Sequence, residues 1–156
     1  MEIASKINGQ IKKEKEKEAI AMPREGTVVT MDWSDYEAGI ETLAWKLKQH
    51  QFMYKDMLLG GIYGIPRGGL VAAVLLSHIT GIPLHLEPWH NSLILDDIAD
   101  TGLTLSPYTA CATAAILVRE DCAVQPWLSA GGVAKNIHIK FPYETMESTY
   151  NGRGGL

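Results

Sequence analysis

Short apolar runs alternate with helix-forming stretches through the middle of this chain, and that order restricts the possible folds more than any other feature. The runs place Val, Ile and Leu on consecutive positions, which is typical of strands buried on both faces. Strands of that kind, separated by helices, form a mainly parallel sheet that is flanked by helices. We therefore predict an α/β fold with strands at residues 27–31, 57–63, 83–86, 92–95, 114–118 and 133–139.

Three helices are predicted between these strands. Ser34 is followed by Glu37 at capping-box spacing, so we expect Ser34 to cap the first helix. The second helix covers residues 70–79 and closes at Gly81, and the third begins at Thr101 and ends at about Cys111. The first helix has one apolar face, which is formed by Tyr36, Ile40, Leu43, Ala44 and Leu47.

The chain of 156 residues is long enough for one core, since a chain of this length buries roughly 70% of its unfolded surface. We assign residues 25–156 to one domain, whose Pro- and Gly-containing part from about 120 to 156 forms a small C-terminal hood. Residues 1–24 form a charged extension with almost no apolar periodicity, which is typical of a solvated helix or a disordered segment.

Charge and composition exclude several classes of protein. Residues 1–24 hold six Lys/Arg against four Asp/Glu, whereas the rest hold eight against fourteen, so the body lacks the basic face that duplex nucleic acid requires. No apolar run approaches the roughly 20 residues that cross a bilayer, and no signal-peptide core is present, which argues against a membrane or secreted protein. Cys111 and Cys122 lack metal-ligand spacing, so we expect reduced thiols in a cytoplasmic protein.

The loop after the strand that ends at Tyr63 is suited to an anion. Gly68 and Gly69 let backbone N–H groups approach closely because no Cβ stands in the way. The helix that follows adds the positive end of its dipole, and the guanidinium group of Arg67 adds several N–H donors in one plane. The alternative is a tight strand-to-helix turn in which Arg67 only faces solvent.

A second loop carries more chemistry. The apolar strand at residues 92–95 ends in Asp96 and Asp97, and burial of two adjacent carboxylates requires a partner such as sugar hydroxyls or a hydrated divalent metal ion. Asp100 follows, where it acts either as the cap of the next helix or as a proton acceptor. Two hydroxyls, a glycine and a helix N-terminus then predict a phosphate cradle, made by Thr101, Gly102, Leu103 and Thr104.

Residues 93–104 resemble the phosphoribosyl diphosphate (PRPP) signature of the type I phosphoribosyltransferases: an apolar strand, two acids, a short spacer and Thr-Gly-x-Thr. Residues 64–70 resemble the pyrophosphate-binding loop of that family, and residues 26–47 are similar to the start of bacterial xanthine-guanine phosphoribosyltransferases. The resemblance covers roughly residues 26–119. It implies a cytoplasmic, Mg²⁺-dependent enzyme of nucleotide salvage that assembles as a homo-oligomer.

The resemblance also implies a role for each loop. Asp96 and Asp97 hold the ribose hydroxyls, partly through Mg²⁺, and residues 100–104 bind the 5′-phosphate. Arg67, Gly68 and Gly69 face the pyrophosphate, at a point where the family often has a non-proline cis peptide bond. Asp100 matches the acid that, in the 6-oxopurine enzymes, lies near purine N7 and is proposed to move a proton there.

The base pocket is less well defined in the sequence. Residues 141–144 resemble a Pro-aromatic-acid pattern of the xanthine-guanine enzymes, which implies a base-binding role for Glu144 and a stacking position for His138. Arg119 stands where the family has a basic residue that contacts the purine carbonyl. The alternatives are an ordinary strand position for His138 and an exposed strand end for Arg119, with Trp89 or Trp127 as stacking residues.

Two departures from the family pattern stand out. Pro66 precedes Arg67 and removes one backbone donor from the loop. Only residues 87–91 separate the strands at 83–86 and 92–95, where family enzymes carry a long mobile loop that closes over PRPP.

The function that the resemblance implies is transfer of a phosphoribosyl group from PRPP to a 6-oxopurine base, giving a nucleoside monophosphate and pyrophosphate. The alternative is a PRPP- or nucleotide-binding regulatory protein with little turnover, which the missing loop favours.

Overall fold

The computed structural model describes residues 26–53 and 58–144, and these ranges contain six strands, two α-helices and one short 3-10 helix. The predicted extension, residues 1–24, lies outside the described residues. In chain order the elements are β1 (Thr27–Thr30), α1 (Trp33–Met53), β2 (Gly61–Gly64), α2 (Gly68–Thr80), β3 (Ser92–Ala99), the 3-10 helix (Ser106–Tyr108), β4 (Ala112–Arg119), β5 (Leu128–Val133) and β6 (Ile137–Lys140).

The strands form two parallel sheets. The main sheet has the order β2-β3-β4-β5, and every neighbouring pair in it is parallel. A smaller sheet pairs β1 with β6, so the first and last described strands lie side by side. The predicted α/β class, with a parallel sheet flanked by helices, is confirmed.

The main sheet is buried on both faces, as the continuous apolar runs predict. On β3, Leu93 and Leu95 belong to the larger core, which also contains the buried faces of α1 and α2. Ile94 points to the opposite face and joins a smaller cluster with Ile65 and Leu105. Because consecutive side chains of a strand point to opposite faces, all three positions of this strand have to be apolar.

Helix α1 buries the predicted face, but its cap lies two residues earlier than expected. The Asp32 carboxylate accepts a hydrogen bond of 2.8 Å from Asp35 N, whereas Ser34 lies inside the helix. Aspartate is as effective a cap as serine, and Asp32 directly precedes Trp33, where the helix begins. The residues Tyr36, Ile40, Leu43 and Leu47 are fully buried, as predicted.

Helix α2 begins at Gly68, two residues before the predicted start, and ends at Gly81 with a φ of 74°. Its N-terminus therefore follows directly on Arg67. Among the residues that the structure describes, neither helix combines the length and hydropathy needed to cross a membrane.

Besides small changes of limit in the other strands, one predicted strand is shortened, one is absent and one is divided. β2 begins only at Gly61, and Leu58, inside the predicted range, is 84% exposed; residue 57, the first of that range, lies outside the described residues. Residues 83–86 form no strand, since only Leu84 makes an isolated bridge to Ile62. The predicted strand at 133–139 is divided by a turn, so its two ends belong to β5 and β6 in different sheets.

The third predicted helix, from Thr101 to about Cys111, is wrong. Its only helical part is the 3-10 turn of residues 106–108. Pro107 lacks an N–H and disfavours the α-conformation of the residue before it, so an α-helix cannot continue through this position. The apolar residues of the segment are used differently: Leu105 packs into the smaller core cluster as part of a turn.

Candidate functional site

The loop between β2 and α2 packs directly against the end of β3. A Cβ on Gly68 would lie 1.9 Å from Asp97 Oδ2, and one on Gly69 would lie 2.3 Å from the Leu95 carbonyl oxygen. At Gly69 the neighbouring atom belongs to the backbone, so any side chain there would push the loop away from β3. The two predicted loops are therefore brought into contact at this edge of the sheet.

Arg67 lies at the N-cap position of α2, and its side chain is exposed. It makes no capping hydrogen bond with its side chain, so the guanidinium group is not used to terminate the helix. The peptide bond between Pro66 and Arg67 is cis, as the resemblance implies for this loop. A cation, a helix N-terminus and a glycine pair are thus adjacent, which is a suitable arrangement for an anion.

The two acids lie inside β3, not after it, because the strand continues in register with β4 to Ala99. Asp96 is 8% exposed, and its Oδ1 accepts a hydrogen bond of 2.9 Å from Asp97 N. Burial, followed by the negative charge of Asp97, raises the pKa of Asp96 to about 8. The charged form of Asp96 is therefore stabilised when a cation or a hydrogen-bond donor binds beside it.

Asp97 is held from two sides. Its Oδ1 accepts a hydrogen bond of 2.7 Å from Ile98 N, and its Oδ2 accepts one from the Tyr143 hydroxyl. The pKa of Tyr143 is raised, mainly by burial, so its hydroxyl stays protonated and donates the hydrogen bond to Asp97. The Tyr143 ring meets that of Tyr36 edge-on, with centroids 5.7 Å apart.

The Tyr36 hydroxyl is buried and has no hydrogen-bond partner among the described residues. Burial is the largest cause of the raised pKa of Tyr36, and the negative charges of Asp97 and Asp96 raise it further. The Tyr36 ring also packs edge-on against Phe141, with centroids 6.0 Å apart. An aromatic layer from α1 and the segment after β6 therefore lies beside the acid pair.

The predicted phosphate cradle is a tight turn and not the start of an α-helix. Gly102 has a φ of 84°, and a Cβ there would lie 2.6 Å from Val124 Cβ. Leu103 N donates to Thr101 Oγ1 over 3.3 Å. Thr101 and Thr104 are both exposed, so their hydroxyl groups remain accessible to a ligand.

A cavity of about 540 Å³ adjoins this turn, which is within the usual size of small-molecule sites. It brings together three residues that the sequence analysis considered separately: Asp100 from the turn, Arg119 from β4 and His138 from β6. Lys135, in the connection between β5 and β6, contributes a further cation to the wall and forms a 3.3 Å ion pair with Asp121.

Arg119 is not an exposed strand end, since its side chain is only 12% exposed. Its Nε donates to Asp100 Oδ1 over 2.5 Å. Its Nη1 donates to the carbonyl oxygens of Ala134, Lys135 and Ile137, at 3.0, 3.1 and 2.6 Å. Arg119 therefore joins two walls of the cavity.

The structure does not bring every predicted residue to this cavity. Glu144 lies elsewhere, where its carboxylate accepts a hydrogen bond of 2.9 Å from Phe141 N. Neither Trp89 nor Trp127 lines the cavity, and the Trp127 ring packs 4.8 Å from that of His50.

Two residues near the site were missed. Tyr143 lies within the 141–144 pattern that directed attention to Glu144, and that aromatic position was the available signal. Lys135 carries no local signal, because only the turn between β5 and β6 brings it to the cavity.

The connection before β3 is short, as predicted, and it is anchored. Ser92 Oγ accepts a hydrogen bond of 2.9 Å from Trp89 N and lies 2.7 Å from His85 Nδ1. Leu86 and Trp89 remain 94% and 60% exposed. Residues 87–91 thus form a tethered turn without the length to cover the acid pair.

No protein-family model and no curated protein sequence matches this chain. Among solved structures, the purine phosphoribosyltransferase from Pyrococcus horikoshii Ot3 matches with 27% identity and a TM-score of 0.62, over 76% of this chain and 95% of that one. The xanthine-guanine-hypoxanthine phosphoribosyltransferase of Helicobacter pylori matches with 12% identity and a TM-score of 0.59, over 81% of this chain and 99% of that one. A hypothetical protein from Neisseria gonorrhoeae with bound ppGpp matches with 14% identity and a TM-score of 0.65, over 82% of this chain and 95% of that one.

At 12% and 14% identity, the second and third matches show the fold alone. The first match, at 27% identity, is a purine phosphoribosyltransferase, which is the kind of enzyme that the two loops resemble. In this chain those loops, residues 64–70 and 93–104, occur in the expected order and meet at one edge of the sheet. The chain therefore has the fold of the type I phosphoribosyltransferases, is similar to a purine phosphoribosyltransferase, and carries its two loops in the order that the resemblance implies.

Proposed function

We propose that this protein transfers a phosphoribosyl group from PRPP to a purine base, with release of pyrophosphate. The observation that carries the proposal is the contact between the two loops, in which the Gly68 backbone lies against the Asp97 carboxylate. One ligand that has a diphosphate at one end of a ribose can therefore touch both loops. The similarity to the Pyrococcus horikoshii purine phosphoribosyltransferase supports a purine as the acceptor.

The roles of the residues follow from their chemistry. Asp96 and Asp97 accept hydrogen bonds from the ribose hydroxyls, and the hydroxyls of Thr101 and Thr104 donate to the 5′-phosphate. Arg67 faces the pyrophosphate, whose negative charge grows as its bond to the ribose C1 breaks. Electrostatic stabilisation of that leaving group is where a fixed cation contributes most.

The base occupies the cavity next to Asp100. The Asp100 side chain is 60% exposed, so its carboxylate is accessible as an acceptor for the proton that leaves the base. His138 offers a ring for stacking, and Lys135 offers a cationic donor. The carbonyl oxygen of a 6-oxopurine accepts from such a donor, whereas the exocyclic amino group of a 6-aminopurine is itself a donor, which favours a 6-oxopurine.

The acid pair fits Mg²⁺ as a cofactor. Asp96 and Asp97 are adjacent hard oxygen ligands, and because burial and the charge of Asp97 raise the pKa of Asp96, a nearby positive charge would stabilise the ionised pair. Within the described ranges, no group of three or more metal-ligating side chains occurs. Mg²⁺ commonly takes one or two carboxylates and completes its shell with substrate oxygens and water. When bound, it supplies positive charge beside the ribose and the diphosphate.

The second candidate function is binding of PRPP or a nucleotide for regulation, with little turnover. The short connection at residues 87–91 favours it, because this segment cannot close over the ribose and exclude water. The intact set of Asp96, Asp97, Asp100, Thr101 and Thr104 favours the enzyme.

One experiment separates the two. Purified protein is incubated with saturating PRPP and Mg²⁺, with and without each of a panel of purine bases, and nucleotide and ribose 5-phosphate are measured together. We expect slow, base-dependent formation of nucleotide, accompanied by some hydrolysis of PRPP because the ribose carbon stays partly hydrated. Tight binding of PRPP with neither product would contradict the enzyme and support the regulatory protein.

A homo-oligomer, which the resemblance implies, stays a prediction that light scattering can test.

A further inference from the structure

Arg119 uses most of its donors within the chain. It stands at the end of β4, with Nε committed to Asp100 and Nη1 shared among three carbonyl oxygens of residues 134, 135 and 137. Its side chain is 12% exposed, whereas that of Asp100 is 60% exposed. The buried Arg119 cation therefore holds the exposed Asp100 carboxylate in place, and this carboxylate still faces the cavity.

The same guanidinium group fixes the opposite wall. Two of the carbonyl oxygens that accept from Nη1 belong to the turn between β5 and β6, which carries Lys135, and the third belongs to Ile137, the first residue of β6 and the neighbour of His138. A guanidinium group is planar and presents its donors in a rigid fork, so it sets the distance between its partners. A lysine ammonium group keeps the charge but cannot hold a carboxylate and three carbonyl groups in one fixed geometry.

We propose that Arg119 is a positioning residue that acts through Asp100. It sets the orientation of the Asp100 carboxylate towards the base nitrogen and holds residues 134–137 at a fixed distance from that carboxylate in the cavity wall. The resemblance implied another role, in which a basic residue contacts the purine carbonyl directly. The four hydrogen bonds within the chain favour positioning over direct contact. This inference rests on the proposed function.

A double-mutant cycle tests the inference with Arg119→Lys, Asp100→Asn and the combined variant. The cycle is measured in kcat/KM for the base and in the Kd for guanosine monophosphate, so that one arm requires no turnover. Asp100→Asn should lower kcat/KM about 100-fold, as loss of a proton acceptor does. Arg119→Lys should lower it about 10- to 100-fold through misplacement of that acceptor, with an unchanged KM for PRPP. In the Asp100→Asn background, Arg119→Lys should lower kcat/KM severalfold less than it does in the wild type, and the loss that remains measures the loosened turn of residues 134–137.

Two controls distinguish a specific effect of the Arg119 substitutions from a general loss of structure. Lys48→Gln removes an exposed cation from α1, outside the cavity, and should leave both readouts unchanged. Hydrogen exchange at the amides of residues 134–138 should be faster in Arg119→Gln than in the wild type, while exchange in the main sheet is unchanged. General acceleration throughout the sheet would indicate unfolding, and Arg119→Lys alone would then decide the role.

The outcomes separate this inference from the proposed function. Additive losses in the cycle, or a loss confined to bases with a 6-carbonyl group, would mean that Arg119 contacts the base and would overturn the positioning role. Such a result would leave the proposed function intact. A wild-type protein that binds no nucleotide and converts no base would instead overturn the proposed function, and the inference with it.

Discussion

The Tyr143 hydroxyl donates a hydrogen bond to the carboxylate of Asp97, which lies 46 residues earlier in the chain. Tyr143 follows β6, whereas Asp97 lies in β3 of the main sheet. The last described segment therefore determines the orientation of an acid that the proposed function assigns to the ribose. The Tyr143 hydroxyl also lies close to Gly68, where an added Cβ would be 2.7 Å away. One side chain thus contacts both of the loops that meet at this edge.

Tyr143→Phe should weaken PRPP binding roughly tenfold, which corresponds to about 1.4 kcal/mol for one hydrogen bond to a charged group. The Asp97 carboxylate would lose the donor that holds it, and its repulsion from Asp96 would increase. Calorimetric titration with PRPP and Mg²⁺ measures the change. Tyr108→Phe removes a hydroxyl from the opposite side of the sheet, near Tyr63, and serves as the matched control. Tighter binding by Tyr143→Phe would show that the hydroxyl competes with the ribose.

Asp96→Asn should stabilise the ligand-free protein and weaken its affinity for PRPP. The pKa of Asp96 is raised from 3.8 to about 8, so between these values the folded state holds a proton that the unfolded state has lost. The free energy of unfolding of the wild type therefore falls as the pH rises from about 4 to 8. The neutral asparagine removes this loss, so we expect its Tm at pH 8 to be higher by about 3 °C or more.

Thermal unfolding of both proteins at several pH values, without PRPP or Mg²⁺, measures this difference. The advantage of Asp96→Asn should be largest near pH 8 and absent near pH 4. Glu41→Gln, an exposed position of α1, controls for the general effect of losing a carboxylate. A Tm difference that does not vary with pH would contradict the assigned cause.

Thr101→Val should lower the affinity for a nucleoside monophosphate by about 1–3 kcal/mol, because the phosphate loses a charge-assisted hydrogen bond. The Thr101 hydroxyl is exposed and already accepts from Leu103 N, so its own proton is available for a phosphate oxygen. Calorimetry with guanosine monophosphate gives the affinity. Thr109→Val, an exposed threonine after the 3-10 helix, should bind as the wild type does. Equal affinities for Thr101→Val and the wild type would remove Thr101 from the phosphate site.

Arg67→Ala should reduce kcat about 100-fold and change nucleoside monophosphate affinity by less than about threefold. The reason is that the charge of the pyrophosphate grows in the transition state, whereas a monophosphate product never contacts this loop. Steady-state kinetics with PRPP and calorimetry with the nucleotide provide the two quantities. Equal losses in both would indicate that Arg67 only supports the loop. Lys48→Ala is the control for loss of an exposed cation.

The sequence predicted those parts of the site whose chemistry lies within a few consecutive residues. Residues 93–104 contain a buried strand, two acids and a hydroxyl-bearing turn, and residues 64–70 contain a glycine pair beside an arginine. The wrong third helix was also a local error, since Pro107 stood in the sequence and opposed it. The cap of α1 was misassigned because Asp32 and Ser34 are both good caps, and only the start of the helix distinguishes them.

By itself, the sequence determined the α/β class, the parallel sheet and the two loops, because backbone preference and the alternation of buried strands with helices act over short stretches. The tertiary structure alone decided which distant side chains meet. Arg119 joins Asp100 to the turn of residues 134–137, and Tyr143 reaches Asp97, through hydrogen bonds between separate elements. Such bonds depend on the order of strands in the sheet and on the path of the chain after β5. No pattern of neighbouring residues encodes them, since each donor reaches its acceptor only after the elements have packed.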